Sequence, residues 1–113
     1  MVVKVQSGKG FRIQKRTARL VFSGEYEGAE VVVRLDVPVG VFISIQDMVA
    51  NGEQMHVFEV FGAKVLEEWN LQTDDGDDIP ATSDGMQSIP LQFANVMIEQ
   101  WVEVCTQPSA PLG

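Results

Sequence analysis

The sequence predicts an α+β fold in one small domain, an N-terminal β-hairpin followed by about three α-helices. Three observations predict it. Strand-forming residues cluster between positions 18 and 37, around a Gly-bounded acidic turn. Apolar residues then recur at helical spacing through three later segments. The chain has 113 residues, 45% hydrophobic and 21% charged, the usage of one globular domain rather than of a disordered chain.

The elements follow in order. Residues 1–16 show no strong period and are expected to form a basic, flexible arm. ARLVFS (18–23) reads as a strand, GEYEG (24–28) as a turn, and AEVVVRLDV (29–37) as a second strand. Val31, Val33 and Leu35 fall on one face of that strand and Val32 and Arg34 on the other. Such a hairpin is marginal alone and must pack on something. Pro38 suits a helix start, and Val41, Ile45, Met48 and Val49 follow at i, i+4, i+7 and i+8. Asn51-Gly52 stops that helix. A second helix is expected from about Gly52 to Trp69, with Met55, Phe58, Phe61 or Gly62, Val65, Leu66 and Trp69 on its stripe. Gly62 costs about 1 kcal/mol there relative to Ala, so a close crossing is expected at that point. Asn70–Ile89 reads as a long acidic loop. A last helix starts near Pro90, with Ser88 as a candidate cap and Phe93, Met97, Ile98, Trp101 and Cys105 on its stripe. The domain is expected to span 17–105, leaving 106–113, TQPSAPLG, as a Pro-rich flexible tail. Phe58, Leu66, Trp69, Met97 and Trp101 are the expected core.

Charge is unevenly placed. The net charge is −8, yet six of the eight basic residues lie within the first 19 positions and all sixteen acids come later. The pattern is a basic arm on an acidic body. Three readings of the arm follow: a solvated segment lying on its own body, a docking arm for an acidic protein partner, or a contact for nucleic-acid phosphates. The acidic body disfavours the last, because it would repel a duplex, and no aromatic residue besides Phe11 is placed to stack on bases. No apolar run approaches the ~18 residues of a membrane span. The basic start has no apolar stretch of the signal-peptide kind, so a chain made in a reducing compartment is expected.

Chemistry is sparsely supplied, and no catalytic, metal or cofactor site is expected. The chain has one His and one Cys, too few for an internal disulfide or a zinc site. Asp74, Asp75, Asp77 and Asp78 surround Gly76, but the D-x-D-x-D-G spacing of a calcium loop is absent. An acidic turn explains them better. His56 has Glu53 and Glu59 three residues to either side and no nucleophile in prospect. Cys105 sits on an apolar stripe with acids beside it, which does not favour a thiolate. SGKG (7–10) lacks the spacing of a phosphate loop. The methionines suit core filling or an adaptable binding surface, and Met86, in the loop, is open to either reading.

Residues 66–104, LEEWNLQTDDGDDIPATSDGMQSIPLQFANVMIEQWVEV, combine a Trp-Asn-Leu, an acidic turn, a Pro-Ala-Thr-x-x-Gly segment and a helix with a central Trp. Together with the basic segment, the Glu-Gly turn and Glu30-Val-Val-Val-Arg34, they resemble the tail assembly chaperones of long-tailed phages that infect actinobacteria. The resemblance runs over about residues 12–113 and carries no catalytic signature. It implies a non-enzymatic protein of the host cytoplasm that binds the tape-measure protein while the tube is built, with the tail tube protein as a second partner. A homo-oligomer is compatible with it. Tape-measure proteins present long amphipathic helices, so a groove between the second and last helices is the expected seat. Val57, Phe61 and Phe93 are expected to be partly exposed beside the core stripes, flanked by Met86 and the acidic loop, with Lys15, Arg16 and Arg19 as arm contacts. The competing class is a virion structural protein, a tail or head–tail component that stays in the particle.

Overall fold

A computed structural model describes residues 10–107, and its architecture grows from the Val-rich segment 29–37. β1 (Thr17–Val21) pairs antiparallel with β2 (Glu30–Arg34), Leu20 opposite Val31 and Thr17 opposite Arg34. A single 3₁₀ turn at Gly24–Tyr26 joins them. β3 (Leu66–Trp69) pairs antiparallel with the other side of β2, giving the order β1-β2-β3. Among the described residues four helices complete the fold: α1 (Val39–Ala50), α2 (Gln54–Lys64), the short α3 (Ser83–Met86) and α4 (Leu91–Thr106). The fold is α+β in a single domain, with the predicted hairpin enlarged to a three-stranded sheet.

The predicted helix over 52–69 is corrected here. It ends at Lys64, and its last turn is strand β3. The cause is a β-bulge. Val32 faces Glu68 and Val33 faces Leu66, so Glu67 is the extra residue on β3. A bulge shifts the period-2 alternation by one residue. Leu66 and Trp69, three apart, therefore both face Val33 and Val31 on the inner side of the sheet. That spacing of three is also the helical spacing, which is why the pattern imitates a helix. The free edge of β2 supplies the backbone partners that a helix would otherwise supply to itself, as where the Arg34 N–H donates to the Val65 carbonyl at 2.8 Å.

Pro38 immediately precedes α1, and the Asn51 N–H closes the helix on the Asp47 carbonyl. Gly52 follows at φ +75°, the left-handed conformation that turns the chain out of a helix. Ser88 does not cap α4, contrary to expectation. Its hydroxyl donates to the Asp84 carbonyl at 3.1 Å, and Pro90 takes the N-cap position.

α4 lies against the inner face of the sheet. The Trp101 indole N–H donates to the Arg34 carbonyl at 3.0 Å, and the Phe93 ring meets Phe22 edge-on at 5.1 Å. Trp101 also meets Phe61 of α2 edge-on at 5.6 Å and Phe42 of α1 at 5.3 Å, so one ring joins three helices. Phe58, Leu66, Met97 and Trp101 are buried; Trp69 is half-buried against the same cluster. Met55, placed on the α2 stripe by spacing, is 57% exposed.

The loop after β3 is held at both ends. Asn70 accepts from the Glu30 N–H at 2.8 Å and donates to the Gly28 carbonyl at 3.0 Å, clamping β3 to the hairpin turn. The Trp69 indole donates to the Ile79 carbonyl at 2.6 Å. Gly62 supplies the expected close crossing. A β-carbon there would lie 2.6 Å from the Ser83 backbone, so only Gly lets α3 seat on α2.

Candidate partner-binding surface

Each residue expected to meet a partner has a definite place. Lys15 is tied to the outer face of the sheet, its Nζ 2.8 Å from Glu67. Arg34 Nε lies 3.2 Å from the same carboxylate. The bulge thus aims Glu67 at two cations, and Lys15 above all holds its carboxyl below the usual carboxylate range. Arg19 lies 3.4 Å from Glu30. Arg16 is exposed and makes no ion pair among the described residues, while its carbonyl accepts from the Leu35 N–H at 2.8 Å. The end of the arm therefore lies on the acidic body. Lys4, Lys9, the SGKG turn through residue 9 and tail residues 108–113 fall outside the described residues.

The apolar candidates are corrected. Val57, Phe61 and Phe93 are 2%, 0% and 5% exposed, so they are core residues rather than a partner surface. Met86, at 1%, lies on α3 and belongs to the same buried core cluster as Phe58, Phe61 and Trp101. Phe93 is covered by Tyr26, stacked on it at 4.3 Å, a contact no local periodicity announces.

The loop carboxylates form an ordered turn. The Thr73 N–H donates to the Asp77 carbonyl at 2.8 Å, Gly76 turns the chain at φ +88°, and the Gln72 amide donates to Asp78 at 2.9 Å. Among the described residues no group of three or more His, Cys, Asp or Glu is placed to hold a metal. His56 is exposed and lies 3.2 Å from Glu53. Partial burial pushes the Cys105 thiol above its usual range, away from a reactive thiolate.

The open apolar surface lies elsewhere, in a valley between α1 and α4. Its central part is a concavity of about 330 Å³ lined by Ile45, Gln46, Val49, Ala50, Ile98, Glu99 and Val102. It shares Val49, Ile98 and Glu99 with a second concavity that reaches Gly52 and Gln54 at the start of α2. Toward the other end, Val39 and Phe42 face Cys105 and Thr106 across a third. The central groove thus runs between α1 and α4, while the second concavity, lined by Gln54, Val57 and Phe58 of α2 and Asn95, Ile98 and Glu99 of α4, lies where the sequence suggested. The missed signal is in α1 itself. Its sequence VGVFISIQDMVA carries one charge, Asp47, and apolar residues on more than one face. Ile45 is buried, while Val39, Ile43 and Val49 are 73%, 50% and 54% exposed. A surface helix apolar beyond its buried stripe marks an interaction face.

No protein-family model matches this chain, and no curated protein and no solved structure is significantly similar to it. Among the described residues, no helix is long and apolar enough to cross a membrane.

Proposed function

We propose that this protein is a tail assembly chaperone of a long-tailed phage, a non-enzymatic binder of the tape-measure protein in the host cytoplasm during tail tube assembly. One observation carries the reading: an open apolar valley on a strongly acidic body, with sixteen acids against eight basic residues in the whole chain. An apolar groove captures the exposed face of an amphipathic helix. A net charge of −8 keeps the resulting complex soluble. The two properties together are what a transient solubilising binder requires, and the motifs of residues 66–104 supply the family to which the reading points. The tail tube protein is a second partner under this reading.

The test is co-expression with the tape-measure protein of the same genome. The expected outcome is soluble, stoichiometric co-purification, with the chain missing from purified particles. A tape-measure protein left insoluble and a chain abundant in particles would refute it. One observation favours a virion structural role as the second reading. β1 pairs only with β2 among the described residues, which leaves a strand edge of the kind that joins subunits in rings.

A further inference from the structure

The charges along the valley name its occupant. α1 and α4 together carry three charged residues, Asp47, Glu99 and Glu103, all acidic. Glu99 lines the groove directly, between the central concavity and the one beside α2. The floor is aliphatic, with Ile45, Val49, Ile98 and Val102 from the two helices. The stretch of α4 along the groove, Asn95 to Thr106, is about 16 Å long, or about three helical turns. An apolar floor with Glu99 in its wall and no cation on either helix selects against anionic and uncharged polar segments.

We propose that the α1–α4 valley seats a three-turn amphipathic α-helix of the partner, apolar at i, i+3/i+4 and i+7 and flanked by Lys or Arg. The apolar stripe fills the floor, and the flanking cations pair with Glu99 in the groove wall and with Glu103 one turn further along α4. The proposal deepens the chaperone reading and rests on it for the protein that supplies the helix. The recognition chemistry itself is carried by the valley.

The probe is a labelled synthetic peptide of about fifteen residues, long enough to hold a helix, with a Leu stripe and Lys flanks, followed by fluorescence anisotropy on the full chain. A scrambled peptide of the same composition and a stripe peptide with Glu flanks are the controls. The stripe peptide with Lys flanks is expected to bind about tenfold or more tighter than either control. Val49→Asp is expected to abolish that preference with an unchanged circular dichroism spectrum, because Val49 is 54% exposed and tolerates a charge without unfolding the core. A Glu99→Lys, Glu103→Lys double variant should invert the preference toward the Glu-flanked peptide. Equal binding of the scrambled peptide would reduce the effect to charge attraction and overturn the proposal. A concentration-dependent dimer that dissociates on Val49→Asp would also overturn it, by giving the valley to a second copy of this chain. The two readings fail separately. If Val49→Asp still co-purifies with the tape-measure protein, the valley assignment falls and the chaperone reading stands. If the peptide binds as expected and the tape-measure protein never co-purifies, the chaperone reading falls alone.

Discussion

Glu67 shows how one residue changes the meaning of its neighbours. As the extra residue of a bulge it takes Lys15 and Arg34 on one carboxylate, and the pair lowers its pKa. A carboxyl with a depressed folded-state pKa contributes stability above its unfolded pKa, near 4.3, and loses it as pH falls through the lower folded value. Urea unfolding of wild type and Glu67→Gln should therefore differ at neutral pH and converge on acidification below about pH 4. A constant difference across that range would remove the ion pairs from the account. The three arm cations should also separate. Arg16→Glu touches no partner among the described residues and should change stability by less than about 0.5 kcal/mol. Lys15→Glu sets a carboxylate beside Glu67 and should lower the melting temperature more than Arg16→Glu does.

Between elements, glycine contacts and single side-chain clamps decide the packing. Gly40 and Gly62 are both helical, yet they answer to opposite terms. Nothing lies within 4 Å of a β-carbon at Gly40, so Gly40→Ala should stabilise by about 0.5–1 kcal/mol. At Gly62 the Ser83 backbone lies at 2.6 Å, and overpacking of about 1–3 kcal/mol outweighs the helix-propensity gain. Thermal melts of the two variants should move in opposite directions. Asn70→Ala removes both hydrogen bonds that hold β3 to the Gly28–Glu30 turn. At about 0.5–1.5 kcal/mol each, their loss should lower the urea midpoint while leaving the slope unchanged.

At the scale of the whole molecule, Trp69 of β3 and Trp101 of α4 report on one core from two different elements. Indole fluorescence and far-ultraviolet circular dichroism should melt at one midpoint, as in a two-state domain. Trp101→Ala removes a fully buried ring that joins α1, α2 and the sheet, a loss of about 3–5 kcal/mol that should unfold much of the population. Trp69, half-buried, should cost less. The charge separation also has a whole-molecule consequence. Lys15 and Arg19 are already engaged by Glu67 and Glu30, so a partner that recruits the arm must displace those pairs. Reversing the charge of Lys15, Arg16 and Arg19 together should weaken capture if the arm docks on an acidic partner. Unchanged capture would remove the arm from recognition.

Local signals in the sequence determined the strands β1 and β2, the start and stop of α1, the extent of α4 and most of the core. Each of these depends on period, proline, glycine or strand propensity within a few residues. The acidic turn and the tight crossing at Gly62 were legible for the same reason. Tertiary structure alone decided three things. It turned Leu66–Trp69 into a strand, because the open edge of β2 and a bulge at Glu67 accept a spacing that a helix also uses. It buried Val57, Phe61 and Phe93, because Tyr26, Trp101 and Phe22 arrive from distant parts of the chain to cover two of those rings. It extended the valley beyond the α2–α4 seam to the length of α1 and α4. Periodicity tells which face of a helix is apolar, but only the packing of the other elements decides which apolar face is left uncovered.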